Sequence, residues 1–184
     1  MKRLIVGLSG SPRAEANTDA AVRQALRAAE EQGLDTLFLA IRDYDLEPCS
    51  GCRACMELGE CRIKDRLDEL MEPVRKAAAL VIGSPVYWWS PPGVMKDFMD
   101  RTHGWFVGGG IFRDQAAAIL SVAADSGFEA HERPIEVWLE HYGAQVVAKE
   151  HVYARDKGDF EAAPEEQEKC RSAGQAVAAA TGLR

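Results

Sequence analysis

Arg3-Leu-Ile-Val-Gly-Leu-Ser-Gly-Ser-Pro-Arg-Ala-Glu-Ala-Asn-Thr18 decides the fold. Leu4, Ile5, Val6 and Leu8 make a short apolar run of the kind that fills the interior of a parallel sheet. A loop with two serines, a glycine, a proline and an arginine follows. Asn17-Thr18 then opens a helical pattern with Val22, Ala25, Leu26 and Ala29 on one face and Gly33 as its stop. The first N–H groups of a helix have no partner within it and carry partial positive charge, so an anion such as phosphate is favoured there. Ser9, Ser11 and Thr18 offer hydroxyls and Arg13 a charged fork for such a group. The plainer alternative is a serine-rich turn capped by Asn17.

Outward from that stretch, apolar runs alternate with helical periodicity. Thr36–Ile41, Leu80–Ile82 and Ala116–Val122 read as buried strands, and Gln145–Ala148 opens a fifth that extends towards Tyr153. Helices are expected from Asp65, where Pro73 argues for a kink or an early end, and from Gly93. Two more are expected around Phe128–Tyr142 and over the alanine-rich 160–180. Residues 42–64 form a polar, cysteine-rich loop, and glycine-rich 104–110 reads as a plain surface connection, with a mobile loop over the bound ligand as the alternative. Five strands alternating with helices predict an α/β three-layer sandwich around a parallel sheet, with residues 1–184 as one domain. Ligands of such sheets bind at the carboxyl ends of the strands, so the loops after the first, third and fourth strands are the expected site.

The 184 residues carry a net charge of -7, which gives no electrostatic reason to bind nucleic acid or an anionic membrane. A hydrophobic fraction of 47% excludes wholesale disorder. No apolar run reaches the ~20 residues that span a bilayer. Met-Lys-Arg followed by a strand lacks the apolar core and cleavage site of a leader. The expectation is a soluble, cytoplasmic protein.

The loop after the third strand, Gly83-Ser-Pro-Val-Tyr-Trp-Trp-Ser-Pro-Pro92, is stiff and aromatic. Its prolines fix φ and leave neighbouring amides without helical partners. Such a loop can lie along a planar heterocycle, its amides at the ring edge and its aromatics over the face. Aromatic clusters also serve cores and subunit interfaces. Because the fold sets this loop on the same rim as the phosphate-favouring helix start, phosphate plus flat ring describes a mononucleotide such as FMN.

Cys49, Cys52, Cys55 and Cys61 are spaced C-x2-C-x2-C-x5-C. In a reducing compartment that density means metal or redox chemistry more often than disulfides. Three thiolates at steps of three can converge on one cubic centre, as in half of a ferredoxin run, and the fourth is near enough to close it. A [4Fe–4S] cluster therefore fits best. Zinc sites usually separate two cysteine pairs by a longer spacer; zinc and cluster-free thiols stay as alternatives. Cys170 reads as an ordinary helix cysteine.

Ser9-Gly-Ser-Pro-Arg13 with Asn17-Thr18, and Gly83-Ser-Pro-Val-Tyr-Trp88 with Pro91-Pro92 and Lys96-Asp-Phe-Met-Asp-Arg101, resemble the NADPH-dependent FMN reductases of the flavodoxin-like superfamily. The compact cysteine motif adds a resemblance to the iron–sulfur flavoprotein branch. Over roughly residues 3–155 the resemblance implies a flavodoxin-like fold, strand order 2-1-3-4-5, and non-covalent FMN. It implies phosphate contacts at Ser9, Ser11, Pro12, Arg13, Asn17 and Thr18, and ring contacts at Pro85, Val86, Tyr87 and Trp88. Ala123–Gly127 matches the third flavin loop by position alone. It also implies a homodimer or homotetramer with FMN near the interface.

The expected function is electron transfer from NAD(P)H or a ferredoxin, through FMN and the cysteine-bound cluster, to an acceptor the sequence does not specify. No side chain stands out as a catalytic acid or base: His103, His131, His141 and His151 show no triad or metal spacing and read as surface or packing residues. The first strand is not followed by G-x-G-x-x-G, so nicotinamide would have to stack on an exposed flavin face. The rival readings are a cluster-free NAD(P)H-dependent reductase of quinones, ferric complexes or free flavin, and a non-catalytic flavin- or zinc-binding module.

Overall fold

The computed structural model describes residues 3–107 and 110–182. Met1 and Lys2, part of the N-terminus expected to lack a leader, and residues 108–109 of the glycine-rich stretch lie outside them. Strands β1 (Leu4–Ser9), β2 (Asp35–Ala40), β3 (Ala79–Pro85), β4 (Ala116–Ala123) and β5 (Gln145–Tyr153) form one parallel sheet in the order β2-β1-β3-β4-β5. The helices are α1 (Asn17–Glu30), α2 (Cys55–Leu58), α3 (Leu67–Lys76), α4 (Gly93–Arg101), α5 (His103–Val107), α6 (Phe128–His141) and α7 (Pro164–Gly182). This is the three-layer arrangement expected from the alternating elements, in the flavodoxin-like strand order that the resemblance implies.

The period-2 alternation of the strands sorts their side chains into two cores. Val6, Leu8, Leu80, Ile82 and Ile119 face α3, α4 and α6, meeting Leu70, Met71, Phe98 and Leu139. Ile5, Val81, Ala118 and Leu120 face α1 and α7, meeting Val22, Ala25, Ala173 and Val177. β1, β3 and β4 are covered on both sides, which is why they read as continuous apolar runs.

Element boundaries differ from expectation in several places, these four among them. Ile41 leaves β2 for a short 3-10 turn, Ile41–Tyr44, yet stays buried. α3 runs three residues past Pro73 to Lys76, because Leu70, Met71 and Val74 are all buried and packing outweighs the one lost backbone bond. α7 starts at Pro164 rather than near 160. The glycine-rich stretch is not a plain connection: its first part is α5. Gly104 is buried there, and a Cβ on it would come within 2.8 Å of the Glu60 backbone, so a glycine is what lets α5 press against the cysteine segment.

Candidate functional site

The loop after β1 is folded on itself and tied to its neighbours. The Gly10 amide donates to the Gly83 carbonyl of β3 at 2.8 Å. Ser11 Oγ accepts from the Arg13 amide at 3.1 Å, a local turn that presents Pro12 and Arg13 to solvent. The Ser9 hydroxyl, fully buried, donates to Asp19 Oδ1 at 2.6 Å and accepts the Ser11 amide at 3.3 Å. Arg42, just past β2, clamps the Asp19 carboxylate with two bonds of 3.0 and 2.8 Å and reaches the Ser11 carbonyl at 3.2 Å. Asn17 does not cap α1. Its side-chain nitrogen donates to the Asp156 carbonyl at 2.8 Å and its oxygen accepts from the Gly158 amide, which pins the helix start to the loop after β5.

After β3 the chain makes a two-residue hairpin. Tyr87 and Ser90 exchange both backbone bonds, at 2.9 and 3.1 Å, and Trp88 (φ 51°) and Trp89 (φ 56°) are both left-handed. For residues other than glycine that conformation costs roughly 1–2 kcal/mol each. Trp88 is left 89% exposed and Trp89 55%. The amides expected to be free are partly used, since Val86 N–H donates to the Val122 carbonyl and those of Tyr87 and Ser90 serve the hairpin. The amides of Trp88 and Trp89 stand in the turn itself, outside these bonds. The third loop closes on the hairpin at Gly127 (φ 91°), where a Cβ would lie 2.8 Å from Trp89 Cδ1 and 3.0 Å from Val86 Cγ1.

These loops enclose a hollow of about 200 Å³. Of the residues expected around a nucleotide, Ser11, Arg13, Asn17, Thr18, Pro85, Val86 and Tyr87 line it. Ser9 sits beneath the loop, while Pro12 and Trp88 lie outside the lining. Ala123 and Ala124 of the third loop line it, and so do Ala154 and Arg155, which no motif singles out.

Under the same rim lies a buried histidine. His131 Nδ1 is 3.0 Å from Ser121 Oγ and Nε2 3.0 Å from Ser84 Oγ, joining α6 to β4 and β3. A neutral imidazole has one donor and one acceptor nitrogen, and hydroxyls take either role, so both bonds form without charge. Burial first, with the nearby His151 charge second, lowers its pKa from 6.5 to about 4. An unfolded chain therefore binds this proton before the folded one does. The stability it confers is whole above pH 6.5 and is lost as pH falls from 6.5 towards 4, ~3 kcal/mol in all. Urea unfolding should show that loss between pH 7 and 4 and a flatter profile in His131→Asn; identical profiles would contradict it.

All four clustered cysteines border a second, larger hollow of about 710 Å³ between the cysteine segment and α4, α5 and α6. Left-handed residues at Gly51, Arg53 and Gly59 turn the chain sharply between the cysteines. Among the described residues, no three His, Cys, Asp or Glu side chains are gathered closely enough to hold a metal ion. The donor chemistry does suit soft iron. The Ala54 backbone, then the Ser50 hydroxyl and the Arg62 charge, hold the Cys52 thiol below its ordinary pKa. Cys61 Sγ accepts from Arg101 Nε at 3.0 Å. Cys170 is a buried packing residue as expected, and burial pushes its thiol up to about 12.

The described chain contains no helix long and apolar enough to cross a membrane. Residues 3–159 match the model of the NADPH-dependent FMN reductase family. An iron–sulfur flavoprotein of Methanocaldococcus jannaschii is 37% identical over 123 residues, 67% of this chain and 64% of that one. One from Archaeoglobus fulgidus is 36% identical over 66% of this chain and 63% of its own. The chain thus spans just under two thirds of the length of these two relatives. An iron–sulfur flavoprotein of Methanosarcina thermophila is 32% identical over 78% of this chain and 76% of its own. Among solved structures, the NAD(P)H:quinone oxidoreductase from Methanothermobacter marburgensis superposes with a TM-score of 0.78 at 17% identity, covering 95% of this chain and 96% of that one, which bears on the fold alone. With the parallel sheet, the three-loop hollow and the four-cysteine segment, these matches show that the chain belongs to the NADPH-dependent FMN reductase family, in its iron–sulfur flavoprotein branch.

Proposed function

We propose that the chain is an FMN-dependent oxidoreductase that takes electrons from NAD(P)H or a ferredoxin and passes them on through a [4Fe–4S] cluster at Cys49, Cys52, Cys55 and Cys61. The observation that carries this reading is the convergence of three loops on one hollow at the β1/β3 switch point, the place where doubly wound sheets bind mononucleotides. FMN supplies acceptance of a hydride or electron pair, and an iron–sulfur centre supplies one-electron transfer.

The chain's own residues bind and orient. The unpaired N–H groups at the start of α1, the hydroxyls of Ser11 and Thr18, and the exposed Arg13 fork would hold the phosphate. Ser9, Asp19 and Arg42 keep that loop in shape, and Pro12 fixes its φ. Pro85, Val86 and Tyr87, which line the hollow, would lie at the ring edge, with the Trp88 amide in the turn beside them. A hollow of about 200 Å³ is smaller than the ~300–1,000 Å³ of a whole-ligand pocket, so these residues account for the phosphate end and one ring edge, with the remainder on the open rim. That openness suits a nicotinamide ring, since no G-x-G-x-x-G follows the first strand to hold a dinucleotide.

Titration of flavin-free protein with FMN and with riboflavin tests the reading. Charge-assisted bonds to phosphate are worth about 1.5–3 kcal/mol each, so riboflavin should bind roughly 100-fold more weakly. Equal affinity would contradict the phosphate site. Anaerobic addition of NADPH or NADH to the FMN complex should bleach the flavin; failure of both would leave ferredoxin as the donor.

A further inference from the structure

Arg101, the last residue of α4, is 2% exposed, and its guanidinium bonds to the cysteine segment and to Asp65 directly after it. Nε donates to Cys61 Sγ at 3.0 Å. Nη1 donates to the Glu47 carbonyl at 2.5 Å and to Asp65 Oδ2 at 2.7 Å. Nη2 donates to Asp65 Oδ1 at 3.0 Å and, more weakly, to the Ile63 carbonyl at 3.4 Å. A guanidinium has five N–H groups, and here each has a partner. Glu47 lies two residues before Cys49 and Ile63 two after Cys61, so one side chain holds both ends of the segment. Asp65 adds to the staple by accepting the Glu47 and Leu67 amides at 3.0 and 3.1 Å.

A buried Arg–Asp pair is a poor way to gain stability alone, because desolvation consumes most of the Coulombic gain. What this pair provides, and an apolar pair cannot, is a fixed cationic donor on a sulfur. Lysine lacks the planar fork that reaches sulfur, carbonyls and carboxylate together.

We propose that Arg101 is a positioning residue for the cysteine centre: it fixes the spacing of the segment's two arms and, through its bond to Cys61, raises the reduction potential of the cluster the thiolates hold. This rests on the cluster reading above. A donor aimed at a ligand sulfur favours the reduced, more negative form, so its loss lowers the potential. α4 begins directly after the aromatic loop and ends at Arg101, so one rigid helix runs from the flavin hollow to the cysteine segment.

The test compares wild type, Arg101→Gln and Asp65→Asn, each purified anaerobically with FMN content as the control for folding. Redox titration followed by electron paramagnetic resonance should give a cluster midpoint below wild type in Arg101→Gln. In Asp65→Asn, where Arg101 loses its counter-charge, the midpoint should lie above wild type, and FMN should titrate unchanged in both. Iron loss to a chelator should be about tenfold faster or more in Arg101→Gln, the usual scale for residues that support metal ligands. A wild-type protein without iron would overturn the cluster reading and this proposal with it. An iron-loaded wild type whose cluster midpoint is unmoved in whichever variants retain FMN would overturn the proposal alone.

Discussion

Replacing Cys55 with serine is expected to remove the iron-dependent absorbance while FMN stays bound. Cys55 opens α2 and borders the larger hollow together with Cys49, Cys52 and Cys61, whereas the smaller hollow, proposed above for FMN, is built from the loops after β1, β3, β4 and β5. The two sites share no lining residue, so damage to one should spare the other. Thiolates are soft donors matched to iron–sulfur centres, and a serine hydroxyl neither ionises near neutral pH nor offers a soft lone pair. The check is iron and flavin per chain with the visible spectrum. Cys170→Ser is the control, since that thiol is buried in the α1–α7 layer and held protonated. Unchanged iron in Cys55→Ser would remove Cys55 from the ligand set.

Asp19→Ala should be the most damaging single change near the flavin hollow, at about 3 kcal/mol of stability and with weaker FMN retention. The Asp19 carboxylate accepts the Ser9 hydroxyl and both arms of Arg42, and its side chain is almost wholly buried. Breaking a buried pair from one side costs ~3–5 kcal/mol because the surviving charge has no partner. The lower end applies, since Arg42 keeps some contact with solvent. Ser9, fully buried, would also lose its acceptor, and the Ser11 turn rests on Ser9. Urea unfolding measures the loss. Asp19→Leu combined with Arg42→Met should cost less than Asp19→Ala alone, because no orphaned charge remains. A cost below about 0.5 kcal/mol for Asp19→Ala, the range of ordinary surface changes, would contradict the account.

Much of this architecture is legible in the sequence because burial on both sheet faces leaves an unmistakable signal. β1, β3 and β4 announce themselves as unbroken apolar runs, and the serine-rich loop between β1 and α1 is local in the chain. The connections that support the site are not local. Asp19 and Arg42 lie on either side of β2 and meet only because β1 and β2 pair in register. Ser84, Ser121 and His131 come from three elements, so no spacing betrays them. The 104–110 stretch misleads because glycine disfavours helices, whereas Gly104 is there for the close approach of Glu60. The prolines around 85–92 predicted free amides, but a hairpin turning through two left-handed tryptophans uses two of them and β4 takes a third. Arg101 enters the sequence reading only as the end of a family motif, since the partners of a buried cation are seen only in the fold.

The central claim is that one chain carries FMN and an iron–sulfur centre at separate sites. The most direct measurement is the visible spectrum of anaerobically purified protein, taken with flavin and iron analysis before and after dithionite. The account predicts flavin bands over a broad shoulder that dithionite bleaches, with one FMN and about four irons per chain. Flavin bands without iron would contradict the cysteine centre, and a colourless protein that cannot be reconstituted with FMN would contradict the account as a whole.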